Sequence, residues 1–286
     1  MKKILVLGCN GMVGHAVALY FKERGYEVRG YDGTEGMFVV QTTGSLHDEE
    51  KLKAAVNAQQ PDAVINCTAI VNQAAEDDKA EASYLNVYLP HLLEKWTAGT
   101  RTVVVHRSTD CIFSGDKGRY TLDDTPDAKS FYARTKAVGE LVNDKDITIR
   151  VSLIGPALCK EDGSLLNWFL QQNEVKGFAN SIWTGLTTLE YAKTIESLLQ
   201  QKAYGLFQAA PGVNVSKYEL LRLFEKYFPN GRNILKIENK RIDKSLVPFW
   251  GSYDIHIKSY DEQIADMKKW IQQHPNLYPE YYSNRK

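Results

Sequence analysis

The opening stretch KILVLGCNGMVGHAVALYFKERG leaves the chain few ways to begin its fold. An apolar, strand-like run, KILVLG (3–8), passes directly into a glycine-rich turn, and a helical pattern follows from 12 to Gly25. Gly8, Gly11 and Gly14 permit a tight turn, a close approach by a ligand, and close packing of helix on strand. A helix starting there offers unsatisfied amides and the positive end of its dipole, which suit a phosphate. By itself G-x-x-G-x-x-G is also a turn with small packing residues. Its position between the first strand and the first helix favours a pyrophosphate loop.

The same alternation continues. EVRGYD (27–32), DAVINCTA (62–69), RTVVVHRS (101–108) and DITIRVSLIG (146–155) read as strands, separated by helical patterns over 48–60, 76–96 and 130–140. Pro90 is expected to kink the second of these helices. Strands alternating with helices imply a doubly wound parallel α/β sheet of Rossmann type. The second half is less regular, with helices expected over 163–172, 187–201, 216–228 and 261–274 and a strand over 204–210. The expected division is a Rossmann domain over 1–156, with 182–210 returning to it, and a smaller C-terminal α/β substrate domain over 157–286.

With 35 basic and 35 acidic side chains, the chain has no net field to attract nucleic acid or an anionic membrane. Its 43% hydrophobic content suffices for a large core. Cys9, Cys67, Cys111 and Cys159 are scattered without a C-x-x-C pair, which fits reduced thiols rather than a disulfide framework or zinc site. The six histidines show no metal-ligand spacing, and no metal is expected. The apolar run at the start is too short for a targeting segment, and nothing approaches the ~20 apolar residues of a membrane span. A cytoplasmic location is the expectation.

Two further motifs carry chemistry. RSTDCIFSG (107–115) ends the fourth strand of this series, and SFYARTKAVGE (130–140) begins a helix with Tyr132 and Lys136 on one face. YSNRK at the C-terminus repeats the spacing at Tyr282 and Lys286, but without the strand-end partner. A free phenol titrates near ~10, and an ammonium at close range is expected to lower it by roughly two units. Asp32, ending the second strand, is either an acceptor for an adenosine ribose or a turn residue of YDGTEG.

In these motifs the chain resembles the extended short-chain dehydrogenase/reductases, and among them the dTDP-4-dehydrorhamnose reductase family. There S-T-D-Y-V-F-x-G leads to Y-G-x-[ST]-K-x-x-G-E; here the sequence reads STDCIFSG and YARTKAVGE. The resemblance implies a catalytic set of Thr109, Tyr132 and Lys136, with Ser108 the weaker substitute for Thr109. It implies NAD(P)H as cofactor, held by Gly8, Asn10, Gly11, Met12, Val13, Gly14, Asp32, Cys67, Thr68, Ala69, Tyr132 and Lys136. The Asp32 carboxylate would repel a 2′-phosphate, which mildly favours NADH and leaves NADPH open.

The implied partner is a small nucleotide sugar, reduced at a 4-keto group with Tyr132 as proton donor; a homodimer is compatible. Substrate contacts are expected from Asn72, Asp110, Leu153, Trp183 and Arg241. Three of these have a plainer reading beside that one: Asn72 as an Asx turn, Trp183 as core, Arg241 as a surface charge. Cys111, Ala133 and Leu153 depart from the family's Tyr, Gly and Trp, so the sugar pocket is expected to differ in shape. Cys111 also stands where related dehydratases carry the second carboxylate needed to eliminate water, which argues against dehydration. Two alternatives stay open: an NAD-dependent nucleotide-sugar epimerase, and a non-catalytic regulatory subunit like that of methionine adenosyltransferase.

Overall fold

Successive side chains of the first strand, β1 (Lys3–Leu7), enter different cores. Ile4 and Val6 join a cluster with Val17, Phe21 and Ile195, whereas Leu5 and Leu7 join one with Leu52, Leu89 and Leu93. A strand buried on both faces belongs inside a parallel sheet covered by helices on both sides. The computed structural model describes residues 2–36, 38–158 and 163–281 and has that architecture. Cys159 and the Tyr282–Lys286 repeat lie outside the described residues.

The main sheet adds β2 (Glu27–Asp32), β3 (Val40–Thr43), β4 (Ala63–Asn66), β5 (Val103–Ser108) and β6 (Ile147–Arg150). Beyond them the chain forms β7 (Leu153–Ile154), β8 (Glu174–Phe178), β9 (Ser181–Trp183), β10 (Leu186–Thr187) and β11 (Gly205–Gln208). The seven-stranded order is β11-β6-β5-β4-β1-β2-β3, parallel throughout. The short β3 escaped the sequence reading because VQTT has no apolar run. The strand expected over 146–155 breaks after Arg150, since β7 leaves the main sheet to pair with β10.

Helices α1 (Met12–Glu23), α2 (Glu49–Gln59), α3 (Asn72–Asp77), α4 (Lys79–Ser83), α5 (Leu89–Thr97) and α6 (Phe131–Val138) fill the connections. The single helix expected over 76–96 is divided instead. Asp78 caps α4 through the Glu81 amide at 2.9 Å, and a π-helical turn, Tyr84–Tyr88, precedes α5. Pro90 explains that turn. It has no N–H to give the carbonyl four residues back, Asn86, so the ladder widens there. Gly139 packs against the same carbonyl, and a Cβ at Gly139 would lie 1.9 Å from Asn86 O.

The smaller unit contains α7 (Leu165–Leu170), α9 (Lys217–Tyr227) and α10 (Tyr260–Gln273), with β8 to β10, β12 (Val215–Ser216), β13 (Asn233–Ile237) and β14 (Ile242–Asp243). Capping boxes start α9 at Ser216–Glu219 and α10 at Ser259–Glu262. Its core gathers Phe169, Leu220, Phe224, Ile264 and Trp270. Between the two passages through this unit, α8 (Thr188–Gln200) returns to pack on α1, and β11 pairs with β6. No described helix is long and apolar enough to cross a membrane.

Candidate active site

The glycine turn is bound to the end of β2. Asp32 accepts the Asn10 amide at 3.0 Å through one oxygen and the Thr34 amide and hydroxyl, each at 3.2 Å, through the other. Asn10 turns its own amide group to Thr34, so its side chain shapes the turn. Gly8 has φ +68, and a Cβ at Gly14 would lie 1.9 Å from Gly8 O, so both positions require glycine. Gly11 differs. A Cβ there would have its nearest neighbour 3.6 Å away, so protein packing does not demand glycine at that position. Gly11 also caps α1 without a side-chain hydrogen bond, so among the described residues no cap side chain takes the first-turn amides of Met12 and Val13. This arrangement fits a dinucleotide pyrophosphate.

At the end of β4, the Asn66 carboxamide oxygen takes the Thr68 amide at 3.1 Å and its hydroxyl at 2.6 Å. Cys67 is buried, and burial pushes its thiol up to about 12. Ala69 is half-buried beside them.

β5 delivers Ser108 and Thr109 in succession, and they do different work. The Ser108 hydroxyl donates to Glu140 at 2.6 Å, and Glu140 is gripped by two nitrogens of Arg150 at 2.8 Å each. Thr109 accepts the Cys111 amide at 3.1 Å, capping a short 3-10 turn, and donates to Asp110 at 3.2 Å. Asp110 is buried, and desolvation raises its carboxyl above the usual range, against the opposing charges of Lys244 and Lys217.

α6 starts on Ser130, whose hydroxyl accepts the Ala133 amide at 3.1 Å. Glu76 of α3 accepts the Phe131 amide at 2.6 Å and the Tyr132 amide at 3.3 Å, a carboxylate placed at the positive end of the helix. Asn86 donates to Thr135 at 3.2 Å and exchanges bonds with the backbone of Ile70, tying α6 to the π turn and the loop after β4. Glu76 and Asn86 went unnoticed in the sequence, because only the fold brings them to α6.

Tyr132 is 6% exposed. Burial pushes its phenol up to about 12, outweighing the lowering by the Arg107 charge and the Thr109 hydroxyl; Cys111 and Asp110 add to the rise. This corrects the expectation of a phenol acidified by Lys136. The Lys136 amine is fully buried and bonds to the Arg107 carbonyl at 2.6 Å and His106 Nε2 at 3.2 Å. Burial, then the Arg107 charge, hold that amine well below the ordinary lysine range.

A cavity of about 540 Å³ brings together three of the expected substrate residues, Asn72, Leu153 and Trp183. Asn72 has φ +51, a left-handed conformation uncommon outside glycine, and opens the helix whose Glu76 caps α6. Trp183 is 5% exposed and anchored by its N–H to Ser152 at 2.8 Å, so it is at once a core residue and a cavity wall. Trp168, Gln171 and Lys217 also line it; the sequence reading did not single them out. Trp168 is 45% exposed and supplies aromatic surface that Leu153 lacks. Arg241 is not brought to this cavity. Its guanidinium is on the surface and pairs with Asp243 at 2.8 Å.

Residues 1–174 match the family described as RmlD substrate binding domain. The chain is 31% identical over 142 residues to methionine adenosyltransferase 2 subunit beta of Xenopus laevis, a match covering 49% of this chain and 42% of that one. It is 30% identical over 142 residues to dTDP-4-dehydrorhamnose reductase of Mycolicibacterium smegmatis, covering 49% and 40%. These matches span less than half the length of either relative. The fold superposes on the crystal structure of dTDP-4-dehydrorhamnose reductase from Bacillus anthracis in complex with NADP, with TM-score 0.78 and 17% identity over 95% of this chain and 100% of that one. Because the family match extends over more than half of the 286 residues and includes the glycine turn, the STD segment and Y-x-x-x-K, the chain belongs to the RmlD substrate binding domain family.

Proposed function

We propose that the protein is an NAD(P)H-dependent reductase of a 4-keto-6-deoxy nucleotide sugar. The observation carrying this reading is that Thr109 and Tyr132 are both buried with the Thr109 hydroxyl acting on the Tyr132 phenol, while α3 reaches the Tyr132 amide through Glu76 and the cavity of about 540 Å³ through Asn72. Gly8, Gly11 and the first turn of α1 would hold the pyrophosphate. When bound, the nicotinamide would supply the hydride that the ketone carbon takes. Tyr132 then gives its proton to the ketone oxygen, and a hydroxyl donor at Thr109 steadies the charge developing there. A phenol titrating near 12 keeps its proton at neutral pH, as a proton donor must. Trp168 and Trp183 offer faces for a base or sugar ring, and Lys217 offers a charge for a diphosphate. NADH is mildly favoured because a 2′-phosphate would meet the Asp32 carboxylate.

The test is a screen of 4-keto nucleotide sugars with NADH and NADPH, following nicotinamide absorbance. Oxidation by at least one sugar is expected, and no oxidation with any of them overturns the reading. A second reading has a specific support, the likeness to a methionine adenosyltransferase regulatory subunit. On that reading the chain would bind a dinucleotide and a catalytic partner without turnover. Co-purification with a methionine adenosyltransferase, unaffected by Tyr132→Phe, would favour it.

A further inference from the structure

The glycine turn is braced from behind by the far end of the chain. His15, near the start of α1, is fully buried and turns its ring onto the turn itself. Its Nδ1 lies 2.9 Å from the Gly11 carbonyl oxygen, which also accepts the His15 backbone amide at 3.0 Å. On the other side of the ring, Nε2 lies 2.7 Å from the hydroxyl of Tyr278, 263 positions away in the chain. Tyr278 and Trp270 are buried as well, and the Trp270 N–H, from α10, donates to the same hydroxyl at 3.0 Å.

The chemistry of these groups assigns the protons. A carbonyl only accepts, so His15 Nδ1 carries a hydrogen and donates it to Gly11. An indole N–H only donates, so the Tyr278 oxygen receives it and turns its own hydrogen to His15 Nε2. The ring is therefore the neutral tautomer with its proton on Nδ1. Burial holds the Tyr278 phenol above its ordinary range, which keeps that hydrogen in place. One directed series of bonds runs from Trp270 through Tyr278 and His15 to the Gly11 carbonyl.

The Gly11 carbonyl and the Met12 N–H belong to one planar peptide group and point to opposite sides of it. A second donor on the carbonyl restricts rotation of that plane, and with it the direction of the Met12 amide. Met12 opens α1, and its amide is among those that a phosphate at the turn would meet. We propose that Tyr278 is a positioning residue of the dinucleotide site, acting through His15 to aim the Met12 amide at the pyrophosphate. The inference rests on the reading of the glycine turn as that site. Tyr281 provides the control. Its hydroxyl reaches Asn167 of α7 and accepts the Ala157 amide at 3.3 Å, so it docks the same C-terminal segment on a different element.

The full chain has 4 methionines, so 15N-methionine labelling gives a sparse amide spectrum in which Met12 is assigned by Met12→Leu. In the unliganded protein Tyr278→Phe is expected to shift the Met12 amide and Tyr281→Phe to leave it in place. Fluorescence titration with NADH and NADPH should give a Kd raised about tenfold by Tyr278→Phe, the scale of one lost hydrogen bond, and little changed by Tyr281→Phe. Replacing Tyr278 by 4-aminophenylalanine keeps a donor toward His15 and should restore most of the affinity. A Met12 amide unmoved by Tyr278→Phe, or equal losses of affinity in the two phenylalanine variants, overturns the assignment. If Tyr278→Phe does not fold by circular dichroism, the His15 ring nitrogens of the unmutated protein decide. Long-range 1H–15N spectra with the proton on Nε2 refute the relay, and a proton on Nδ1 supports it. These spectra need no dinucleotide, so a failed relay is distinct from a failed cofactor reading, in which the unmutated protein would bind neither nucleotide.

Discussion

The Asp32 carboxylate accepts the backbone amide of Asn10 at 3.0 Å, which makes the end of β2 and the glycine turn a single unit. One side chain therefore shapes the phosphate turn and sets the charge that an adenosine ribose would meet. Asp32→Ala should weaken NADH binding about tenfold, the scale of a lost charge-assisted hydrogen bond, and weaken NADPH less. Titration of nicotinamide fluorescence with each dinucleotide measures this. Equal losses for both would show that Asp32 acts only on the turn.

Gly11 and Gly14 should respond differently to the same methyl group. Gly14→Ala puts a Cβ against backbone atoms that cannot yield, and a loss of about 1–3 kcal/mol or more is expected in urea unfolding. Gly11→Ala has room within the protein, so its cost should stay within about 1 kcal/mol while dinucleotide affinity falls. Two unstable variants, or two that bind normally, would refute the proposed loop.

Tyr132→Phe removes only a hydroxyl from a packed ring. On the reductase reading kcat should fall by about 10²–10⁴, with dinucleotide affinity nearly unchanged. Stopped-flow single turnovers and fluorescence titration separate the two effects.

Trp183 and Trp168 line the same cavity from unequal depths. Trp183→Ala should cost about 3–5 kcal/mol of stability, because the ring is buried and its N–H is bonded. Trp168→Ala should leave the melting temperature nearly intact and raise KM for the sugar nucleotide about tenfold. A silent Trp168→Ala would place the substrate elsewhere.

Burial pushes the phenols of Tyr84 and Tyr132 up to about 12 and raises Tyr20, Tyr191 and Tyr260 as well. An unfolded chain releases these protons above about pH 10, while the folded protein keeps them. Their contribution to stability is complete below pH 10 and is lost as pH rises from 10 through 12. Urea unfolding between pH 8 and 11 should therefore show a decline confined to the upper end.

The repeating strand and helix patterns revealed the Rossmann core because buried parallel strands are continuous apolar runs, as in KILVLG and RTVVVHRS. The STD and Y-x-x-x-K motifs were readable because each lies within a few residues of chain. Glu76, Asn86, Trp168 and Lys217 were not, since each reaches the site from a separate element and nothing local distinguishes it. Lys136 shows a subtler limit. Its spacing from Tyr132 was plain, but the direction of its amine depends on His106 and on the Arg107 carbonyl, both of β5. Arg241 shows the reverse case, a charge in a suggestive motif that the fold leaves on the surface beside Asp243.

The late strand β11 has a bearing on how this protein can be cut. A fragment ending at residue 174, where the family match stops, would keep β6 but lose its outer neighbour. The backbone of Ile147–Arg150 would then be a bare margin, free to recruit strands from other molecules. Expressing the amino-terminal portion alone should yield clumped material, and grafting residues 188–208 back onto it is the natural remedy.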